Sequence, residues 1–191
     1  MMSAKYRYYD LLGDVHVPGR WYLQGPLDAQ GHRIIPWELQ QGKPVHLEGM
    51  PLLSVRYPGQ ALDYTETAAA SVVSHRFVSM CERLGIQDEV QFIPARAGGY
   101  SEPFFVLNAL RIIRCIDEDR CKEVAFWEPR HGEPELVGAY RDVRGLRIDP
   151  TKVGDANIFR PWGWPVALIV SERVKVAIEG EGITGTTFIE V

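Results

Sequence analysis

Residues 169–191 read IVSERVKVAIEGEGITGTTFIEV, and an earlier stretch, residues 72–94, reads VVSHRFVSMCERLGIQDEVQFIP. Laid over each other, Val73-Ser74-x-Arg76 falls on Val170-Ser171-x-Arg173, and Glu82 falls on Glu179. Gly85-Ile86 falls on Gly182-Ile183 without a gap, and one inserted residue then brings Phe92-Ile93 onto Phe188-Ile189. Each copy reads as an apolar lead-in, a serine-capped helix, a glycine stop and a closing strand. The pattern predicts a duplicated supersecondary unit, with two helices alike by chance as the rival reading.

The physical chemistry of the unit is legible in both copies. Ser74 and Ser171 precede a helical pattern, where a hydroxyl accepts from an unpaired amide of the first turn. Phe77, Met80, Cys81 and Leu84 recur at helical spacing on one face. Val174, Ala177 and Ile178 repeat that face, with Glu181 in the place of Leu84. Gly85 stops the first helix and Gly180 and Gly182 the second, and β-prone residues follow each. Arg76 and Arg173 break the local rule, since a cation in a first turn opposes the helix dipole. Two breaches at one place predict a shared kind of partner, a carboxylate or a carbonyl; two solvated arginines are the plainer alternative.

The chain has 191 residues, enough for one domain with a real core, or one domain with a small annex. Apolar residues at 46% and charged ones at 24% are ordinary for a globular protein. A net charge of −4 argues against nucleic acid as the main ligand, because phosphate binding calls for a basic field. Cys81, Cys115 and Cys121 are odd in number and lack zinc-site spacing, so they read as thiols in a reducing compartment. Residues 1–12, MMSAKYRYYDLL, place charges and tyrosines where a signal peptide has its apolar core. The apolar run at residues 165–170 falls far short of the ~20 residues that span a bilayer. These features predict a soluble cytoplasmic protein.

Residues 4–66 read as short strands between turns, around Tyr8-Tyr9, Trp21-Tyr22-Leu23, Ile34 to Trp37, Val45-His46-Leu47, Leu53 to Tyr57 and Leu62 to Thr65. The stretch at residues 104–116, FFVLNALRIIRCI, favours strand, with a bulge near Asn108 to reconcile its length with strand geometry. Residues 145–149 and 158–160 read as further strands, and Pro161-Trp162-Gly163-Trp164-Pro165 as a rigid turn. Residues 117–137, DEDRCKEVAFWEPRHGEPELV, differ in character. Their seven carboxylates against three cations give a local excess equal to the net charge of the whole chain.

No catalytic constellation assembles from the residues. Gly180-x-Gly182-x-x-Gly185 matches a dinucleotide fingerprint letter for letter, but follows a helix instead of opening one. Asp10, Asp14 and His16 read as a solvated turn before they read as an acid/base group. Asp149 and Asp155 flank a loop, where capping or pairing with an arginine is the simpler role. His16, His32 and His46 are scattered without a second ligand at metal spacing.

Three further stretches belong together. They are Leu107-Asn108-Ala109-Leu110 running to Cys115-Ile116-Asp117, then Asp149-Pro150-x-Lys152-Val153-Gly154-Asp155-Ala156-x-Ile158-Phe159-Arg160, then Val170-Ser171-Glu172-Arg173 through Gly182-Ile183-Thr184-Gly185-x-x-Phe188. This set resembles immunity protein family eleven of bacterial polymorphic-toxin systems, a family first catalogued as a domain of unknown function. The resemblance runs over residues 70–191, and the first 60 residues carry only a loose likeness. It implies a protein encoded beside a secreted or contact-delivered toxin, which it neutralises inside the producer. It carries over no catalytic residue.

Residues and resemblance together predict an α+β fold, mostly antiparallel sheet, with two short helices from the duplicated unit. The expected organisation is a β-rich subdomain over residues 1–66 and an immunity-like domain over residues 67–191, or one compact domain. The expected function is stoichiometric binding of a cognate toxin, with no enzyme activity, cofactor, metal, nucleic acid or membrane, and with a homodimer left open. The alternatives are a small enzyme acting on a nucleotide or cell-wall fragment, or a self-associating structural module. The expected toxin-binding face is the acidic segment: Asp117, Glu118, Asp119, Glu128, Glu133 and Glu135 supply charge, and Phe126 and Trp127 an apolar centre.

Overall fold

The computed structural model describes residues 6–191, so the start of the stretch at residues 1–12, read above as no signal peptide, lies outside the described residues. The chain begins with β1 (Tyr8–Gly13), β2 (Tyr22–Leu27), β3 (Leu52–Tyr57) and β4 (Tyr64–Glu66). The first copy of the repeat follows as β5 (Ser71–Ser74), α1 (His75–Leu84) and β6 (Val90–Ala97). Then come β7 (Phe104–Ala109), β8 (Ile112–Ile113), β9 (Glu123–Phe126), β10 (Tyr140–Arg144) and β11 (Ile158–Pro161). The second copy closes the chain as β12 (Ile169–Ser171), α2 (Glu172–Gly180) and β13 (Thr186–Glu190).

The strands form a six-stranded sheet in the order β2-β3-β6-β7-β5-β4, a five-stranded sheet β13-β1-β12-β11-β8, and a two-stranded ribbon of β9 and β10. Pairing is antiparallel except at β3–β6 and β11–β8. The fold is α+β and mostly antiparallel, as the sequence predicts.

Each copy of the repeat has the same topology. β5 and β6 flank β7, both antiparallel to it, so the strand–helix–strand unit leaves a gap that β7 fills. β12 and β13 flank β1 in the same way. The filler strand follows the first unit directly, but for the second it comes from the start of the chain. A connection that leaves a strand and returns parallel to it needs a crossover, here supplied by the helix.

Both helices start where the serines predict. Ser74 Oγ accepts from the Phe77 amide at 3.5 Å, and Ser171 Oγ from the Val174 amide at 3.4 Å. Such a cap contributes about 0.5–2 kcal/mol, and the length of both bonds puts them at the weak end. Gly85 closes α1 in the left-handed region at φ 69°, where a side chain would be strained. Phe77, Met80 and Cys81 of α1 and Val174 and Ile178 of α2 are fully buried, and pack with Tyr9, Leu11, Tyr64, Leu107 and Ile158 into one core between the sheets.

The two first-turn arginines share a kind of partner. Arg76 donates to the Glu181 carbonyl at the end of α2, at 2.7 Å, and Arg173 to the Leu84 carbonyl at the end of α1, at 2.6 Å. A cation misplaced on its own helix thus sits at the carbonyl end of the other, where the dipole favours it. Arg76 also meets Asp63 at 2.7 Å. That carboxylate, 7% exposed, accepts from Ser74 Oγ, the Thr184 amide and Thr184 Oγ as well. Asp63 immediately precedes β4, whereas Thr184 leads into β13, so one buried acid fastens the two sheets together.

Several local readings need correction. Residues 104–116 are not one bulged strand: β7 pairs in unbroken register with β6, then the chain leaves that sheet after Ala109 and joins the other as β8. One long β-prone run serves two short strands in different sheets. Residues 45–47 form no strand, because the Gln91 side-chain amide exchanges both backbone bonds of Val45 at 2.8 Å each. Pro36 opens a 3-10 turn (Pro36–Leu39), with only Ile35 before it extended. The strand read at residues 145–149 lies earlier, at β10, and only Ile148 bridges to Ile116. Strands from before residue 66 enter both sheets: β4 pairs with β5, and β1 lies between β12 and β13.

Candidate functional site

The acidic segment folds back on itself. β9 and β10 pair antiparallel, with a register shift between Tyr140 and Asp142. Their connection, residues 127–139, is shaped by two short 3-10 turns, Pro129–His131 and Pro134–Leu136, each opened by proline. Gly132 and Gly138 complete it with φ of 78° and 89°, a region closed to most side chains. The ribbon is rooted in the body by the Tyr140 amide on the Gly163 carbonyl at 3.1 Å and the Asp117 amide on the Arg147 carbonyl at 2.9 Å.

The expected contact residues fall into two groups. Asp117 pairs with Arg120 at 3.7 Å, Glu128 with Arg130 at 3.0 Å, and Glu118 accepts from the buried Tyr140 hydroxyl at 2.6 Å. Burial, together with that bond to a carboxylate, holds the Tyr140 phenol well above its usual range. Asp119, Glu133 and Glu135 are exposed and make no side-chain bond. β10 returns Arg141 and Arg144 alongside the acids, and Arg144 bridges Glu123 at 3.2 Å and Asp142 at 3.0 Å. The folded ribbon is therefore less acidic than its first strand and loop. Phe126 and Trp127, adjacent in sequence, do not form one patch. The Phe126 ring lies against Tyr140 at 5.0 Å, and Trp127 meets His131 edge-on at 5.8 Å. Both are half-buried.

Two open clefts lie at the serine-capped helix starts. The larger, about 770 Å³, is lined by Tyr6, Arg7, Asn157, Ser171, Glu172 and Val176. Its arginine is already held by Glu172 at 3.1 Å and Glu190 at 2.7 Å. The smaller, about 440 Å³, takes in Asp63, Ser74, Arg76 and Tyr100, and its charges belong to the Asp63 cluster. Among the described residues no three of His, Cys, Asp and Glu converge as a metal site would require. Burial pushes the Cys81 and Cys115 thiols up to about 12, leaving them protonated and poor nucleophiles at neutral pH.

Asp10, Asp14 and His16 separate: Asp14 accepts from the His16 amide at 2.9 Å in a local turn, while Asp10 lies in β1. Burial and the neighbouring Glu66 push the Asp10 carboxyl up to about 7, against the opposing pull of the Leu168 amide and Arg160. Its Oδ1 and the Arg160 Nε are both buried without a hydrogen-bond partner. Asp149 caps the turn Pro150–Lys152 through the Thr151 amide at 3.0 Å, and Asp155 pairs with Arg111 at 3.0 Å. The Gly180–Gly185 fingerprint ends α2 and leads into β13, with Gly185 pressed against the Tyr64 carbonyl.

The residues that organise the molecule most strongly, Asp63 and Gln91, were not singled out by sequence. Each acts through side-chain bonds to segments distant in the chain, and no local pattern signals that.

Fold and surface together define a two-sheet α+β protein from which a charged two-stranded ribbon projects. The chain belongs to the Immunity protein family (Imm11), which it matches over residues 14–191. The match takes in β2 to β4 as well as the later stretches that carried the resemblance. No curated protein matches the chain. Membership places it among proteins of toxin immunity, whose task implies binding a toxin partner.

Proposed function

We propose that the chain neutralises a cognate toxin in the cytoplasm by forming a stoichiometric complex with it, without turning over a substrate. The observation that carries this reading is the family match over nearly the whole chain. The proposed contact face is the β9–β10 ribbon. Asp119, Glu133 and Glu135 are the carboxylates left free to meet a basic toxin surface, and Trp127 is the half-exposed anchor. Charges at an interface rim govern association, and an aromatic side chain at its centre governs dissociation.

The test is co-purification with the product of the neighbouring toxin gene, alongside growth protection of a toxin-expressing strain. Analytical ultracentrifugation fixes the stoichiometry and distinguishes a one-to-one complex from one built on a homodimer. Replacing Glu133 and Glu135 by Lys slows association, and Trp127→Ala speeds dissociation. If both variants fold, bind and protect as the unmodified chain does, the ribbon is not the contact. If no complex forms at all, the inhibitor reading itself is lost.

A further inference from the structure

Most arginines of this chain are engaged. Arg7, Arg83, Arg111 and Arg144 sit on carboxylates, and Arg160 and Arg173 on backbone carbonyls. Five make no side-chain hydrogen bond or ion pair among the described residues. One of these, Arg114, lies over the Trp162 ring at 3.5 Å. The other four, Arg20, Arg33, Arg56 and Arg96, all belong to the β2–β3–β6 end of the larger sheet.

That end of the sheet also gathers exposed apolar side chains. Leu53 and Val55 of β3 and Leu23 of β2 pack on the core beneath, so Leu52, Arg56 and Tyr22 lie on the other face. A register shift that adds one residue to β3 between Val55 and Tyr57 keeps Tyr57 opposite Tyr22 on that face. Leu52 is the register partner of Arg96 on β6, and is 39% exposed. Tyr22 and Tyr57 are opposite each other on β2 and β3, with ring centroids 5.9 Å apart, edge to face. They are 44% and 55% exposed, although an aromatic pair of this kind is normally covered. Arg20 lies over the Tyr22 ring at 4.1 Å and Arg56 over the Tyr57 ring at 5.3 Å. α1 covers the sheet only as far as Phe92 and Phe105, which pack into its core. The result is an uncovered face with an aromatic centre, already ordered by its arginines, and guanidinium groups that no carboxylate among the described residues reaches.

We propose that the outer face of β2, β3 and the end of β6 is a docking surface for a protein partner that presents carboxylates around an apolar centre. Tyrosine and arginine are the residues that most often dominate binding energy, and here they are held in place before binding. A second copy of the chain is a poor occupant, because a two-fold contact would set this face against its own like charges. Nucleic acid is a poor occupant too, since a polyanion approaching a molecule of net charge −4 is repelled at long range. A partner with a local acidic patch meets neither obstacle. This surface is separate from the ribbon, and stands whether or not the ribbon binds a toxin.

The probe is a fluorescein-labelled peptide of repeating Glu-Glu-Phe, titrated by anisotropy into the full chain beside a labelled thymidine oligonucleotide. The full chain binds the peptide saturably and less tightly as salt rises. Arg56→Glu combined with Arg96→Glu, both at exposed positions and checked by thermal unfolding, weakens binding by about tenfold or more. Tyr57→Ser alone weakens it as well, and the reversal of Glu133 and Glu135 leaves it unchanged. The inference is overturned by absence of saturable peptide binding, by a smaller loss in the folded double variant, or by tighter binding of the oligonucleotide than of the peptide.

Discussion

Asp10 shows how much a single residue's setting decides. Sequence places it beside Asp14 and His16 at a turn, yet in β1 it is shielded, beside Glu66, with the Leu168 amide and Arg160 favouring its charge less strongly than burial opposes it. A carboxyl near 7 in the folded chain and near 3.8 when unfolded is a neutral acid in the native state under mildly acidic conditions. The native state then holds a proton that the unfolded state releases, so its contribution is full below about pH 4 and lost as pH rises to about 7. Asp10→Asn removes this dependence. Its stability relative to the unmodified chain, measured by urea unfolding, rises between pH 4 and pH 8 by about 1–3 kcal/mol. A constant difference across that range would show that Asp10 is already ionised. The sequence supplies the identity of Asp10 but not its neighbours, which come from β4, from β11 and from Leu168 just before β12.

At the scale of elements, the helices were the most legible part. Their apolar face repeats at a local period, their serines sit at the start, and glycine follows, so every signal lies within a dozen neighbouring residues. The ribbon was illegible for the converse reason. EVAF and YRDVR are short and nearly half charged between them, and what pairs with Glu123, the one acid of β9, is Arg144 of a strand beyond the acidic window. The breach of the dipole rule at Arg76 and Arg173 was visible, but its resolution needed the second helix. Arg173→Ala removes one hydrogen bond at a helix C-terminus, partly exposed, and costs about 0.3–1 kcal/mol. Arg76→Ala costs more, about 1–3 kcal/mol, because it also strips a donor from the buried Asp63 carboxylate. Equal losses in chemical denaturation would mean that Asp63 is satisfied by Ser74 and Thr184 alone.

For the whole molecule, the fold class and the repeat could be read from sequence, whereas the assignment of strands to sheets could not. Nothing in YYDLLG marks β1 as the filler of a gap left by the last strand–helix–strand unit, since strand pairing over such distances leaves no local trace. The two ends of this arrangement meet: the Val191 amide donates to the Tyr8 carbonyl at 3.1 Å, and Arg7 grips Glu190 at 2.7 Å. Joining residue 191 to residue 6 by a short flexible linker and opening the chain at the exposed Gly98-Gly99 turn therefore disturbs little of the native structure. The permuted chain unfolds in one transition within about 1 kcal/mol of the original and refolds faster, because β13 and β1 become neighbours in sequence. Stopped-flow refolding that is no faster would show that this pairing is not what limits the rate.

The placement of β1 also bears on synthesis at the ribosome. The six-stranded sheet draws only on residues up to Ala109, and its strands can pair while translation continues. β1 has no such opportunity. It is made before the other strands described, with Tyr9 and Leu11 destined for the core, and its flanking strands β12 and β13 are made after all the others. Until they emerge it stays an unpaired strand, open to chaperones and proteases. The five-stranded sheet closes only once β12 and β13 have left the exit tunnel, so β1 depends on the last strand–helix–strand unit for both of its partners.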